Sequence, residues 1–198
     1  MERWRGALRE LGDQAADVGW RYGAFELDPT ILAEGVDAHA YLEAKYDAAT
    51  VRSIHQRLAA VAAAEGLPLH DMAELRVRPN TFAAHRLMTE AFAQGPGRQQ
   101  AVADALFAAY WAQGRDIGDH EVLVDVAVAA GLSEARVREV LAGDEHAAAV
   151  REEEQQAQQA GIHAVPTFVL DRRLAVSGAQ APEALAGAVR QALAAAAG

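Results

Sequence analysis

The chain has 198 residues, no cysteine and a formal net charge of -10, with 52% hydrophobic and 23% charged residues. The acidic balance argues against a nucleic-acid partner, which requires a basic face, and the lack of cysteine excludes a disulfide scaffold. No stretch approaches the roughly 20 apolar residues of a membrane span, and the N-terminus has no apolar signal region. We therefore predict a cytoplasmic globular protein with no nucleic-acid or membrane partner.

The first 37 residues predict one helix and one strand. Trp4 and Leu8 fall on one face of a helix from Glu2 to Leu11, because apolar residues recur there at helical spacing. Alternating apolar and polar residues predict a strand over 16–27. Asp28-Pro29 ends this strand, since proline cannot donate to a strand ladder.

Residues 38–160 predict helices almost throughout. Helix-capping residues open three of them, namely Asn80 or Thr81, Asp119, and Ser133. The charged run Arg151–Glu154 predicts the solvated face of the last helix in this block. The breaks between helices are predicted at Gly66-Leu67-Pro68, Gly95-Pro96-Gly97 and the loop between Gly114 and Gly118.

The C-terminal segment changes character again. Short β-branched and aromatic runs predict strands at 167–170 and 174–177, joined by a turn at 171–173. Pro182 suits the first turn of a final helix. The predicted order is helix, strand, a helical block, two strands and a helix, so the fold class is α/β.

Five short segments in this order resemble the FrnE branch of the DsbA-like thioredoxin-fold oxidoreductases. They are Phe25-Glu26-Leu27-Asp28-Pro29, Asn80 to Leu87, Gly114 to Asp119, Gly161 to Leu170, and Val176 to Gln180. The resemblance implies a thioredoxin-like fold with a large all-helical insertion. Residues 1–37 and 161–198 are then the two parts of the thioredoxin-like domain, and 38–160 is the insertion.

The resemblance also shows what the chain lacks. In the family, a Cys-x-x-Cys pair lies between the first strand and the first helix, whereas here the first helix begins at about Glu2. The family's first strand and both cysteines would therefore lie upstream of Met1. Three explanations stay open. The start was assigned at an internal methionine, or the chain is a degenerate family member. Alternatively, the gap in the sheet is closed by direct pairing of the neighbouring strands, by a shifted strand or by another chain.

The resemblance implies two groups of site residues. One is Val165-Pro166, where a cis peptide bond faces the active site and the backbone of Val165 binds an extended substrate peptide by strand addition. The other is the helix start at Asn80, Thr81 and His85, whose dipole favours a thiolate, sulfonate or carboxylate. Alternative interpretations are a strand-start proline, helix caps and a structural histidine. No catalytic residue is predicted.

No pattern in the chain predicts a metal or a cofactor. The other histidines lack metal-ligand spacing, and no phosphate-binding glycine loop occurs. Trp20, Phe25 and Trp111 are candidates for a substrate groove, although their positions on apolar faces favour the core.

Three functions remain open at this stage. The leading hypothesis is a thiol–disulfide oxidoreductase or isomerase acting on a peptide or protein thiol, which requires cysteines that this sequence does not contain. The second is a glutathione-dependent isomerase or transferase, with a glutathione-like small molecule as partner. The third is a non-catalytic peptide-binding or assembly protein. An exposed sheet edge would favour a homodimer.

Overall fold

The computed structural model describes residues 1–196. The chain forms two compact units, one made of Met1–Trp20 with Ala157–Gly198 and the other of Arg21–Gln156. The helices are α1 (Glu2–Leu11), α2 (Ala38–Glu43), α3 (Ala48–Ala64), α4 (Phe82–Ala93), α5 (Pro96–Phe107), α6 (His120–Ala129), α7 (Glu134–Ala142), α8 (Ala147–Gln159) and α9 (Pro182–Ala196). The strands are β1 (Val36–Asp37), β2 (Val77–Arg78), β3 (Thr167–Leu170) and β4 (Leu174–Ser177).

The first unit packs α1 and α9 against the hairpin of β3 and β4. Trp4 stacks on Phe168 of β3 with ring centroids 5.4 Å apart, and Trp20 meets Trp4 edge-on at 5.9 Å. Leu185 and Val189 of α9 complete this core. The helix over 2–11, both strands of the hairpin and the final helix beginning at Pro182 are confirmed.

The hairpin has a fixed register in which Phe168 pairs with Val176 and Leu170 with Leu174. Its turn places Asp171 and Arg172 at positive φ, 50° and 56°, and the N–H of Arg173 donates to the carbonyl of Leu170 at 3.0 Å. The backbone twist of such a turn matches the twist of the flanking strands. The predicted turn at 171–173 is confirmed.

The predicted strand at 16–27 is wrong. Residues Gly12–Asp17 form a 3-10 helix, and residues 18–27 run without a strand partner among the described residues, whose sheets are the pairs β1–β2 and β3–β4. Backbone N–H groups of this segment bond to side chains instead. Tyr22 donates to Gln99 at 2.9 Å and Ala24 to Glu153 at 2.8 Å. Alternation records which side chains are buried, but it does not supply a backbone partner.

The second unit is helical around one apolar core. Leu87, Leu123 and Val137 are fully buried at its centre, on α4, α6 and α7. The helix breaks fall where glycine and proline predict them, with Gly66 at φ 66° after α3 and Pro96 at the start of α5. Strand β2, which pairs antiparallel with β1, is a departure from the all-helical prediction for 38–160.

Carboxylate and hydroxyl caps begin several helices of this unit. Asp119 accepts from the N–H of Val122 at 2.9 Å, and Ser133 accepts from that of Arg136 at 3.3 Å. Each cap satisfies a backbone donor that the first helical turn leaves without a carbonyl. Both predicted caps are confirmed. No helix within residues 1–196 is long and apolar enough to cross a membrane.

The solvated face predicted for Arg151–Glu154 is wrong at its C-terminal end. Glu154 is buried and Glu153 half-buried, whereas Arg151 and Glu152 are exposed. The reason is that α8 lies against the extended segment 21–26, and the two glutamates accept hydrogen bonds from its backbone. A charged run predicts solvation only where no neighbouring backbone needs the carboxylates.

Candidate functional site

The loop before β3 carries Val165 and Pro166 at the surface of the first unit. The peptide bond between them is cis, and Val165 is 49% exposed. Pro166 is tied to the end of β4, because its carbonyl accepts from the N–H of Gly178 at 2.8 Å. Within residues 1–196, the N–H and C=O of Val165 make no hydrogen bond. The loop therefore presents unpaired backbone beside an ordered strand.

Asn80 is held by two hydrogen bonds just before α4. Its Oδ1 accepts from the N–H of Phe82 at 2.9 Å, and its Nδ2 donates to the carbonyl of Ile31 at 2.7 Å. Thr81 occupies the N-cap position without a side-chain capping bond. Asn80 thus caps α4 and also anchors the loop around Ile31, while the hydroxyl of Thr81 makes no cap.

His85 lies one turn into α4 with its ring largely enclosed. Burial lowers the pKa of His85, and this effect outweighs the opposing influence of Glu154 and a hydrogen bond to the backbone of Phe25. The imidazole is therefore neutral at physiological pH. A neutral, partnered histidine positions the extended segment at Phe25 rather than offering a charge to a ligand.

A buried carboxyl pair lies on this same side of the second unit. Nη1 of Arg151 donates to Glu26 Oε2 at 2.6 Å and to Glu154 Oε2 at 2.8 Å. The Glu26 side chain is only 2% exposed. Burial raises the pKa of Glu26, with Arg151 opposing that change and Glu154 adding to it. One half-exposed arginine thus serves two buried carboxyl groups.

A second charged cluster joins α4 to α7 and the loop after it. Arg136 donates to Glu90 Oε2 at 2.7 Å, and His146 Nε2 lies 2.9 Å from the same oxygen. Glu90, Glu145 and His146 are close enough together to hold a metal ion. The guanidinium of Arg136 already bonds to both glutamates, however, so the cluster is an ion-pair network and carries no metal assignment.

The three aromatic groove candidates have different environments. Trp20 packs in the core of the first unit, and Phe25 is half-buried. Trp111 is 37% exposed and meets Tyr110 edge-on with centroids 5.0 Å apart. Of the three, only Trp111 presents a substantial part of its ring to solvent.

The five predicted site residues fall into two groups. Val165 and Pro166 belong to the first unit, whereas Asn80, Thr81 and His85 belong to the second. Neither group contains a nucleophile with an adjacent base, and the chain has no cysteine. The described residues therefore offer backbone groups for recognition and buried carboxyl groups for proton binding. They include no group for covalent catalysis.

Comparison with known proteins identifies the family. The model of the DSBA-like thioredoxin domain matches residues 5–190. A solved structure of a probable DsbA oxidoreductase from Streptomyces coelicolor is 35% identical, with a TM-score of 0.84 over 97% of this chain and 84% of that one. No curated protein matches. The chain belongs to the DSBA-like thioredoxin domain family.

A second solved structure shares the fold at lower similarity. It is a 2-hydroxychromene-2-carboxylate isomerase, 17% identical, with a TM-score of 0.56 over 100% of this chain and 91% of that one. The predicted family and the α/β thioredoxin-like fold with a helical insertion are confirmed.

The buried carboxyl pair of Glu26 and Glu154 was not predicted from the sequence. One signal was available for Glu26, because it continues the alternation of Tyr22 and Ala24 toward the buried face. No local signal marked Glu154 within its charged run. Its burial depends on a segment more than a hundred residues away, in which the backbone N–H of Glu26 donates to the Glu154 carboxylate.

Proposed function

We propose that this chain acts in thiol–disulfide exchange, as a DsbA-like oxidoreductase or isomerase nearest to the FrnE branch. The observation that carries the proposal is the unpaired backbone of Val165, an exposed residue beside β3, in a chain of the DSBA-like family. The substrate is an extended peptide or protein thiol, which adds its backbone to this loop as a strand. The reaction requires two thiol groups, and the sequence contains no cysteine.

Thiol–disulfide exchange requires two thiol groups, one to attack and one to resolve the intermediate. A thiolate attacks one sulfur of a disulfide, the other sulfur leaves as a thiolate, and a mixed disulfide forms. A second thiolate then resolves this intermediate, so two electrons pass between the cysteine pair and the substrate. None of the side chains in this sequence can take the place of either thiol.

The zero cysteine count favours a second candidate, a thiol-independent peptide-binding or assembly protein. It uses the same exposed loop and needs no sulfur. A glutathione-like small molecule is the alternative ligand for that loop. We place the protein in the cytoplasm, and a homodimer would cover the open edge of the hairpin.

Intact mass of the protein purified from its source separates the two candidates. The oxidoreductase proposal expects a mass above 21.0 kDa and two alkyl adducts after reduction and treatment with iodoacetamide. A mass of 21.0 kDa without adducts would overturn it and leave the binding protein.

Peptide recognition is tested separately, by NMR titration of the 198-residue chain with an extended peptide and with its backbone N-methylated counterpart. We expect the N-methylated peptide to leave the Val165 amide unshifted.

A further inference from the structure

Arg78, the last residue of β2, is a half-buried arginine without an ion-pair partner among residues 1–196. Its guanidinium carbon lies 4.5 Å from the centroid of the Tyr41 ring. Its Nε is buried and makes no hydrogen bond. Neither of its two terminal nitrogens is both buried and without a hydrogen bond. The two terminal nitrogens are therefore the part of the guanidinium that a ligand can reach. A partly desolvated cation without an anion is unfavourable unless a ligand supplies one.

A second cation faces the same aromatic ring. Nζ of Lys45 lies 4.0 Å from the Tyr41 centroid and 3.3 Å from Oδ2 of Asp28. Hydrogen bonds from Thr30 and Tyr41 hold the pKa of Asp28 well below its usual range, so this carboxyl is ionised. Two cations and one carboxylate thus leave about one surplus positive charge. This surplus occurs in a chain whose net charge is -10.

Arg78 and Asp116 both act on the pKa of Tyr110. Burial raises that pKa, Arg78 opposes the change and Asp116 adds to it. The Oδ1 of Asp116 accepts from the N–H of Gly118 at 2.8 Å. Among the described residues, Arg78 and Asp116 form no ion pair. The guanidinium is left with an aromatic neighbour on one side and no anion.

We propose that Arg78, with Lys45 beside it, is a binding site for the carboxylate of a ligand. The two terminal nitrogens of a guanidinium match the two oxygens of a carboxylate in a planar, bidentate pair. A surplus of about one positive charge suits a monoanion better than a doubly charged phosphate ester. The site is on the second unit and does not depend on the proposed exchange reaction.

Two sources supply this chemistry, namely a free organic acid and the C-terminal carboxylate of a peptide. The test uses matched pairs that differ only in the anionic group. Benzoate is compared with benzamide, and acetyl-Ala-Ala-Phe with its C-terminal amide. Each is titrated into the isotopically labelled full chain, with the amide signals of Tyr41, Val77 and Arg78 as the readout.

We expect the backbone amide signals of these residues to shift saturably with benzoate and with the peptide acid. We expect no shift with benzamide or with the peptide amide. Tighter binding of benzoate assigns a small acid, and tighter binding of the peptide assigns a C-terminus. Arg78→Gln should lower the affinity for the acid by about tenfold or more, as expected for loss of a charge-assisted bond. Lys45→Gln should lower this affinity less.

Arg76→Gln is the matched control, because Arg76 is exposed, lies two residues away and makes no side-chain bond within the described part of the chain. It removes the same charge and should leave the affinity within about twofold. Equal shifts by acids and amides in the unaltered chain would overturn the proposal, whether or not Arg78→Gln folds. A loss of affinity in Arg76→Gln as large as that in Arg78→Gln would also overturn the proposal, since the general positive potential of this region would then explain the binding.

Discussion

Glu90 and Glu26 are both buried glutamates, yet their neighbours move their pKa values in opposite directions. A hydrogen bond from Arg136 is the main reason that the pKa of Glu90 falls to about 2. Burial is the main reason that the pKa of Glu26 rises. Glu90 has three polar side-chain partners, Arg136, His146 and Gln94, which together outweigh its burial. Glu26 has one cationic partner, Arg151, and the neighbouring carboxyl group of Glu154 adds to the effect of burial.

Replacing Glu90 should reveal a carboxylate that stabilises the folded chain. A folded pKa below the unfolded value gives stability that is present above about pH 4.5 and is lost as the pH falls toward 2. We expect Glu90→Gln to lower the free energy of unfolding by about 2–3 kcal/mol at pH 7, at about 1.4 kcal/mol per pKa unit. Chemical denaturation from pH 2.5 to 7 should show this difference shrinking at acid pH.

Glu139→Gln is the control for this measurement. Glu139 also accepts from Arg136, at 2.9 Å, but its side chain is 69% exposed. Exposed ion pairs contribute at most about 1 kcal/mol. A loss in Glu139→Gln as large as in Glu90→Gln would contradict the role assigned to burial.

Replacing Glu26 should have the opposite effect on stability near neutral pH. A carboxyl whose folded pKa is raised binds its proton more tightly in the folded chain, so stability falls as the pH rises above about 4.5 toward the folded pKa. Glutamine stays neutral, and its amide still bonds to Arg151 and Glu154. We expect Glu26→Gln to be more stable than the unaltered chain at pH 8, with the gap closing by pH 4.5.

Thermal unfolding of Glu26→Gln and Glu152→Gln across this pH range checks the expectation. Glu152 is exposed on the same helix, so its replacement removes the same charge without relieving a buried pair. If Glu26→Gln were less stable than the unaltered chain at pH 8, the ionised Arg151–Glu26 bond would outweigh the burial of a second carboxylate.

Among the elements, α1 and the start of α9 pack closely, and a glycine permits this contact. A Cβ added to Gly6 would lie 2.9 Å from Cγ and 3.0 Å from Cβ of Pro182. The proline ring cannot move away easily because it forms the first turn of α9. Gly6 is therefore a packing requirement within a helix that would otherwise favour alanine.

Two matched glycine substitutions test this requirement. Gly6→Ala should lower the free energy of unfolding by about 1–2 kcal/mol, because the overpacked contact outweighs the gain in helix propensity. Gly187→Ala, inside α9 with nothing within 4 Å, should raise it by roughly 0.5–1 kcal/mol. Urea denaturation measures both. A stabilising Gly6→Ala would mean that α1 and α9 separate at little cost.

The elements also show what could be predicted from the sequence. Helix caps such as Asp119 and the hairpin turn at Asp171 are local, since the residues that define them lie within a few positions. The strand predicted at 16–27 failed because a strand needs a partner, and alternation is silent about partners. Asn80 was predicted as a cap, but its second bond, to Ile31, joins positions 49 residues apart.

At the scale of the whole molecule, the excess of acidic groups opposes the compact state. The formal net charge is -10, and the sequence isoelectric point is about 5.1. Repulsion among these charges acts over distances that 0.1 M salt limits to about 10 Å. Salt also weakens exposed ion pairs such as Arg138–Glu121, but each of these contributes at most about 1 kcal/mol.

Screening should therefore stabilise the chain at neutral pH. We expect Tm at pH 7.5 to rise by roughly 2–4 °C between 0.01 and 0.3 M NaCl, equivalent to about 1 kcal/mol for a chain of this size. Near pH 5.1 the net charge approaches zero, so the same salt step should leave Tm unchanged or lower it slightly. Because the ion pairs persist at both pH values, this comparison isolates net repulsion. A fall in Tm at pH 7.5 would show that the Arg136 and Arg138 networks contribute more to stability than net charge removes.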